Sequence, residues 1–385
     1  MRVLVAFDKF KHAISAGQAC GAARLALKKT RRDWELDLCP LTDGGDGFES
    51  ILADALRAER IPVSVTGPRG GLVSASVSLV RLAQLPPAVR SIIDPPSRSE
   101  GTLAIVEMAR ASGLALLPPE LRNPWETTTY GTGQLLRAAA EMGASAILLG
   151  IGGSATNDLG LGALNALGIE FRTSSGSKVR PPTPALWQTI ASIEGDVFEA
   201  LPPVLIATDV TNPLLGPEGC SAVFGPQKGL SASDVARMEE SAESMARALC
   251  AYFRLSSDQT RSPGAGAAGG LAFGLLCTKR ARIVPGFDVV ADSLDLDRRI
   301  AAADVVITGE GRFDASSLGG KGPGSLAARA LAANKPVHVF AGQVSVGPRQ
   351  GLQLHALSRP DALPSSETLA RTAEDLRSCV EHVFG

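Results

Sequence analysis

The sequence predicts an α/β protein of two α/β domains: a discontinuous, Rossmann-like parallel-sheet domain made from both ends of the chain, and a second α/β domain inserted into it. Three observations lead there. Short β-rich apolar runs alternate with helical patterns along most of the chain, the mark of α/β layering. Both ends keep this rhythm, whereas the middle interrupts it with a hairpin and glycine-rich stretches. The chain has 385 residues, 45% of them hydrophobic, which at roughly 150 residues per domain is room for two ordinary cores. The expected division is 1–70 plus 285–385 for the discontinuous domain and 71–284 for the insert.

The elements follow in order. Arg2 to Phe7 (RVLVAF) reads as a buried strand, and Ser15 with Gln18 three residues on is a capping box that opens a helix through about Lys29. A strand over Glu35 to Leu41 leads into the turn TDGGDG and a helix from Phe48. VSVTGPRGGLVSASVSL then carries two alternating runs around Gly67-Pro68 and Gly70-Gly71, a β-hairpin pattern. Further strands are expected at Ala146 to Ile151, Val204 to Thr208 and Ala222 to Phe224, and helices at 102–111, 131–141, 158–167 and 233–252. After PGAGAAGG the βα rhythm resumes with ADVVITGEG, a helix near 324–333, PVHVFAG and a closing helix at 366–383.

Composition removes several functions. Lys plus Arg is 38 against 39 acidic residues, a net charge of −1, without the basic footprint of a nucleic-acid binder or a polybasic membrane patch. No apolar run reaches the roughly 18 residues of a bilayer span, and the charged start MRVLVAFDKFK does not read as a signal peptide; the expected location is the cytoplasm. The six cysteines lack any C-x-x-C, and none of the four histidines pairs at helical ligand spacing, so a disulfide framework, a structural zinc site and H-E-x-x-H chemistry are excluded. A metal, if used, is a hard one held by carboxylates and nucleotide phosphates. Ser154 lies outside any G-x-S-x-G and has no histidine in a general-base context, which removes a serine hydrolase.

Acids recur where apolar strands end: Asp8, Asp43, Asp209 and Glu310, with Asp158 after AILLGIGGSATN. Ligands of open α/β sheets bind beyond the carboxyl ends of strands, and carboxylates there suit Mg²⁺ or activation of a hydroxyl; helix capping is the competing use for each. Gly150-Ile-Gly152-Gly153-Ser154-Ala155 matches G-x-G-x-x-A, with Glu170 about twenty residues on, and Gly264-Ala-Gly266-Ala-Ala-Gly269 matches the same pattern without a preceding strand. Either loop can cradle an anion with backbone amides; for PGAGAAGG close helix packing competes. A Walker A loop is absent, because Gly320-Lys321 is followed by Gly322 and position 315 is alanine. Lys9, Lys11, Lys228, Arg312 and Lys321 stand beside these acids in glycine-rich surroundings, where cations neutralise phosphate or grip a carboxylate.

Taken together these segments resemble the bacterial glycerate kinase family of the type that makes 2-phosphoglycerate. The resemblance runs through FDKFKHAIS, TDGGDG, VTGPRG, NPWETTTYGTGQLL, GIGGSATNDLGLG, ATDVTNPLLGPEG, AVFGPQKG, PGAGAAGGLAFG and ITGEGRFDASSLGGKGP, nearly end to end. The chain departs from the family at Lys9, where serine is common, at His12-Ala13, where a Gly-Ser pair is common, and at Asp46, where glutamate is common. The resemblance implies two α/β domains with the active site in the cleft between them, and transfer of the ATP γ-phosphate to a hydroxyl of D-glycerate with Mg²⁺.

On that reading Mg²⁺–phosphate handling falls to carboxylates among Asp158, Asp209 and Glu310, and Asp43 or Asp314 orients the glycerate hydroxyl as base. Lys11, Arg312 and Lys321 neutralise phosphate or hold the glycerate carboxylate. Gly152, Gly153, Ser154, Asn157, Lys228, Gly266, Gly269 and Gly270 surround ATP. The implied partners are small molecules, D-glycerate and ATP, with no nucleic acid or membrane, and the chain acts as a monomer or homodimer. Two other functions compete: a nicotinamide-dependent oxidoreductase of a small hydroxy acid, resting on the G-x-G-x-x-A match, and a non-catalytic phosphometabolite-binding protein.

Overall fold

A computed structural model describes residues 1–11, 13–93, 100–318, 322–347, 349–357 and 366–385. In chain order its strands are β1 (Arg2–Phe7), β2 (Glu35–Leu38), β3 (Glu59–Thr66), β4 (Leu72–Arg81), β5 (Thr102–Glu107), β6 (Ala146–Gly150), β7 (Glu170–Arg172), β8 (Ser192–Glu194), β9 (Val204–Ala207), β10 (Ala281–Val284), β11 (Val305–Phe313), β12 (Val337–Val344) and β13 (Leu352–Ala356). The chain divides into two compact units, Met1–Asp43 with Phe287–Gly385, and Gly44–Gly286.

The first unit is a five-stranded sheet in the order β13-β12-β11-β1-β2, parallel throughout. Val3 to Phe7 have no exposed surface, as expected of a central parallel strand covered on both faces. On one face Val3, Val5 and Phe7 pack with Ala19, Ala23 and Leu27 of helix Ala16–Thr30 and with Leu376, Val380 and Phe384 of helix Ser366–Phe384. Each such valine, leucine or phenylalanine contributes about 1.5–3 kcal/mol when fully buried. Helices Leu296–Ala302 and Gly322–Ala332 lie against β1, β11 and β12. The helix at 16–30 starts where the capping box predicts: the Gln18 N–H donates to Ser15 Oγ at 3.3 Å and the Ser15 N–H to Gln18 Oε1 at 2.9 Å. Because β2 lies on one side of β1 and β11 to β13 on the other, the strand order reverses between β1 and β11. That is the topological switch point at which open α/β sheets bind ligands.

The second unit is a six-stranded sheet in the order β10-β9-β6-β5-β4-β3. Strands β5, β6, β9 and β10 are parallel, and β4 and β3 are antiparallel additions. Its core joins Val77, Ala104, Val106, Ile147, Leu149 and Ile206 to Leu135, Leu136 and Ala139 of helix Tyr130–Glu141. A second cluster packs Phe171 and Trp187, near the small β7–β8 ribbon, on Ala242, Ala246 and Leu249 of helix Ala232–Tyr252.

Three expectations are corrected. The unit changes at residue 43, not 70, because β3 pairs with β4 from Glu59–Leu79 to Thr66–Leu72 and a break at 70 would split that hairpin. Residues 102–107 form a strand where a helix is predicted: the run TLAIVE is buried between β4 and β6, and a fully buried strand has no helical or alternating pattern to mark it. Residues 220–224 form a short helix, Cys220–Phe224, in place of a strand. No described helix is long and apolar enough to cross a membrane.

Candidate active site

The switch point of the first unit brings together the acids and cations of three sequence segments. The pairing of β1 with β11 sets Phe7 opposite Gly309, so Asp8, just past the end of β1, comes beside Glu310, which β11 carries on opposite Ala341 of β12, and the Asp8 N–H donates to the Gly309 carbonyl at 3.0 Å. Gly309 is required by the pairing of β11 with β12, since a β-carbon there would collide with the Phe340 carbonyl oxygen. Asp8 is 5% exposed. Beside it the helix Gly322–Ala332 begins: a β-carbon on Gly322 would lie 3.3 Å from Asp8 Oδ2, and the partial positive charge of a helix N-terminus favours an anion there. Lys9 Nζ lies 3.2 Å from Asp43 Oδ1. Lys11 is exposed on a tight turn closed by hydrogen bonds between Phe10 and Ile14.

At the end of β11, Arg312 Nε is 3.3 Å from Asp314 Oδ2 with the arginine side chain 65% exposed. An ion pair that open contributes little to stability and leaves the guanidinium available to an anion. Ser317, 4% exposed, accepts from the Asp314 N–H at 3.2 Å and is hydrogen-bonded to the Glu310 side chain. Burial pushes the Glu310 carboxyl up to about 7; Asp8, Asp43 and Asp314 push the same way and Ser317 opposes them. Its Oε1 is buried without a hydrogen-bond partner among the described residues. The predicted cation Lys321 lies outside the described residues. Asp8, Lys9 and Ser317 belong to this site although only Asp8 and Lys9 carried a signal in the sequence, the first as an acid ending a strand and the second as a neighbouring cation.

In the second unit the glycine loop after β6 is pressed backbone to backbone on the glycine turn that precedes helix Phe48–Leu56. The Gly152 N–H donates to the Gly44 carbonyl at 2.9 Å, and the Asp46 carboxylate stands beside Gly153, 3.1 Å from the place of a β-carbon. Glu107, 2% exposed, accepts from the N–H groups of Gly47 at 3.2 Å and Glu49 at 3.1 Å and so fixes the start of helix Phe48–Leu56. Burial pushes Glu107 up to about 7. Gly153 is exposed and Ser154 is 7% exposed. Asp209, half-buried, accepts from the Gly286 N–H at 2.8 Å.

Several predicted residues turn inward. Asp158 has no exposed surface. One of its oxygens accepts from the Thr129 N–H at 2.7 Å, Thr129 Oγ1 at 2.8 Å and the Gly162 N–H at 3.2 Å, and the other from the Gly160 N–H at 3.2 Å. Burial raises its carboxyl and these four donors oppose that; it caps a buried turn and does not face a metal. Lys228, 2% exposed, donates to the Thr156 carbonyl at 2.6 Å, and burial pushes its ammonium down to about 8. Asn157 is fully buried and donates to Ser221 Oγ at 3.1 Å. These side chains tie the loop together from within. Gly266 and Gly270 spend their N–H groups on the Asn212 and Gly266 carbonyls, and a β-carbon on Gly269 would strike the Thr156 carbonyl, so PGAGAAGG packs closely against the 156 and 212 segments. The Gly150–Ala155 loop is no dinucleotide fingerprint. Ser154 bridges Gly113 in extended form, and the next helix opens only at Leu161, whereas the fingerprint needs a helix N-terminus at the phosphates. Among the described residues no group of three or more His, Cys, Asp or Glu side chains is placed to hold a metal.

Comparison with known proteins agrees with this chemistry. The model of the glycerate kinase family matches residues 3–385. The glycerate kinase of Bacillus subtilis (strain 168) is 36% identical over 400 aligned positions, which cover 99% of this chain and 98% of the relative. The glycerate 2-kinase of Escherichia coli (strain K12) is 36% identical over 352, covering 90% and 86%. Among solved structures, a glycerate kinase 2 from Salmonella typhimurium LT2 superposes with a TM-score of 0.72 at 33% identity, over 100% of this chain and 97% of that one. A family match over nearly the whole length, with acids and cations gathered where an α/β sheet takes its ligand, places this chain in the glycerate kinase family.

Proposed function

We propose that this chain transfers the γ-phosphoryl group of ATP, with Mg²⁺, to the 2-hydroxyl of D-glycerate, giving 2-phosphoglycerate and ADP. The observation that carries the reading is the switch-point cluster of the first unit, Asp8, Lys9, Asp43, Glu310, Arg312 and Asp314. Phosphoryl transfer asks for positioning and charge stabilisation more than for covalent work, and this cluster offers both signs of charge on strand ends that packing holds rigid. The exposed guanidinium of Arg312 and the ammonium of Lys11 suit a carboxylate or phosphate oxygens, with Lys321 in the same role. Asp43 or Asp314 accepts the hydrogen bond of the glycerate hydroxyl and takes its proton as transfer proceeds. Gly153, exposed on its loop, is the amide left to meet phosphate once Gly152 is bonded to Gly44.

The donor set of the first unit fits Mg²⁺, which is bound by one or two carboxylates and substrate phosphates more often than by a protein cage: Glu310, with its unpartnered buried oxygen, is the residue there that would hold it. When bound, the ion neutralises charge on the transferring phosphoryl group. The 2-position is supported by the name of the Escherichia coli relative, glycerate 2-kinase. The two compact units are read as the two functional domains, divided at Asp43 and Phe287.

The test is ADP release by the purified chain with ATP, Mg²⁺ and D-glycerate, with enolase added in parallel to detect 2-phosphoglycerate. Glycerate-dependent ADP with an immediate enolase signal is expected. ADP without that signal would move the transfer to the 3-hydroxyl, and no ADP above the glycerate-free control would remove the reading. Asp314→Asn and Lys321→Ala should each lower turnover at least tenfold without unfolding the chain, a loss of more than about 1.4 kcal/mol at the transition state. Near-normal turnover in both variants removes these groups from the mechanism.

A further inference from the structure

The residue after Asp8 is a lysine whose side chain does not run out to solvent. The Lys9 N–H donates to Asp8 Oδ1 at 2.6 Å, and the side chain folds back so that Nζ stands 3.2 Å from Asp43 Oδ1 and 3.8 Å from Asp8 Oδ1. One ammonium therefore spans the carboxylate that ends β1 and the carboxylate that follows the β2 segment. Its side chain is 19% exposed, whereas Asp43 is 39% exposed and Arg312 65%. Lysine ordinarily buries its stem and keeps its head in water, so a head drawn down between two carboxylates is held there by charge. Two carboxylates and nearby Glu310 gathered at one strand end repel one another unless a cation lies among them, and partial burial makes each such interaction several times stronger than in water.

We infer that Lys9 is a positioning residue for phosphoryl transfer: it acts through Asp43, holding that carboxylate toward the acceptor and supplying a tethered positive charge where the cluster would otherwise need a mobile cation. The inference rests on the reading that this end of the first unit receives glycerate. It differs from an ordinary surface ion pair, which contributes little, in that Asp8 is buried at the switch point and the ammonium joins it to Asp43.

The test compares Lys9→Met, which keeps the length of the side chain and loses the charge, with Lys9→Arg, which keeps the charge. Expected are a fall in kcat of at least tenfold for Lys9→Met with the KM for ATP unchanged, recovery of most of that loss in Lys9→Arg, and partial rescue of Lys9→Met by methylammonium but not by sodium at the same ionic strength. A structural role alone would lower the melting temperature of Lys9→Met, leave the kcat of its folded fraction normal and give methylammonium no turnover to restore. Lys9→Met with normal kcat overturns the inference, as does a folded Lys9→Arg as slow as Lys9→Met, or a loss that falls wholly on the KM for ATP. Should Lys9→Met fail to fold, the kcat of Lys9→Arg decides by itself. Wild-type chain that releases no glycerate-dependent ADP overturns the underlying reading and this inference with it, whereas active wild type with an unaffected Lys9→Met overturns this inference alone.

Discussion

Acidification should destabilise this protein through one ring, His338. It lies on β12 at 9% exposure, stacked on His355 of β13 with centroids 5.3 Å apart, and close to Phe384 at 4.7 Å. Its Nδ1 is 3.2 Å from His355 Nε2. Burial pushes its imidazole from 6.5 down to about 4, with the neighbouring His355 adding to the effect, and burial lowers His355 as well. A histidine whose proton affinity falls on folding is protonated more readily in the unfolded chain. Stability is therefore unaffected above about pH 6.5 and is lost as pH falls from there through about 4. At ~1.4 kcal/mol for each tenfold change in proton affinity, His338 alone should cost the fold about 3 kcal/mol by the bottom of that window. Urea unfolding between about pH 7 and pH 4 should show this loss in the wild type and a flatter profile in His338→Phe. With four histidines in the chain, a proton NMR titration can follow each ring, and one should titrate near 4. Identical pH profiles for wild type and variant, or four rings titrating near 6.5, would refute the reasoning.

Two further outcomes follow from packing. Asp158→Ala leaves four buried donors unmatched and should lower stability by about 3 kcal/mol or more, read as a thermal shift; a variant that melts normally but binds Mg²⁺ more weakly would return Asp158 to the metal. Gly309→Ala forces a β-carbon against the Phe340 carbonyl and should cost about 1–3 kcal/mol by urea denaturation, and an unchanged midpoint would mean that β11 and β12 can separate without loss.

The legible parts of this fold are those with local causes. The capping box at Ser15, the apolar runs of β1 and β11, and the return of the βα rhythm near the end of the chain all declare themselves within a dozen residues. Strand β5 does not, because a strand buried on both faces loses the alternation that would identify it. The site divides the same way. Asp8, Asp43, Glu310, Arg312 and Asp314 are visible as charges at strand ends, but their meeting depends on the register that sets Phe7 opposite Gly309. Asp158, Asn157 and Lys228 look the same in sequence and turn inward, because Thr129, Ser221 and Thr156 supply their partners. A charged residue in a glycine-rich loop announces chemistry; which side of the backbone it faces is decided by partners far along the chain.

The order of strands in the first unit also sets a timetable for synthesis. Strand β1 leaves the ribosome well ahead of its neighbour β11, which is paired to it from Val3–Val305 to Phe7–Gly309. At about 5–20 residues per second, the partner arrives on the order of 15–60 s later. In that interval the whole second unit, Gly44–Gly286, emerges and has its complete set of strands, while RVLVAF waits with one edge unpaired. An apolar strand held open for that time invites pairing with another chain. The nascent protein should therefore lean on holding chaperones during the middle of its translation, and freely refolding chains should lose more material to aggregation than the isolated length would suggest.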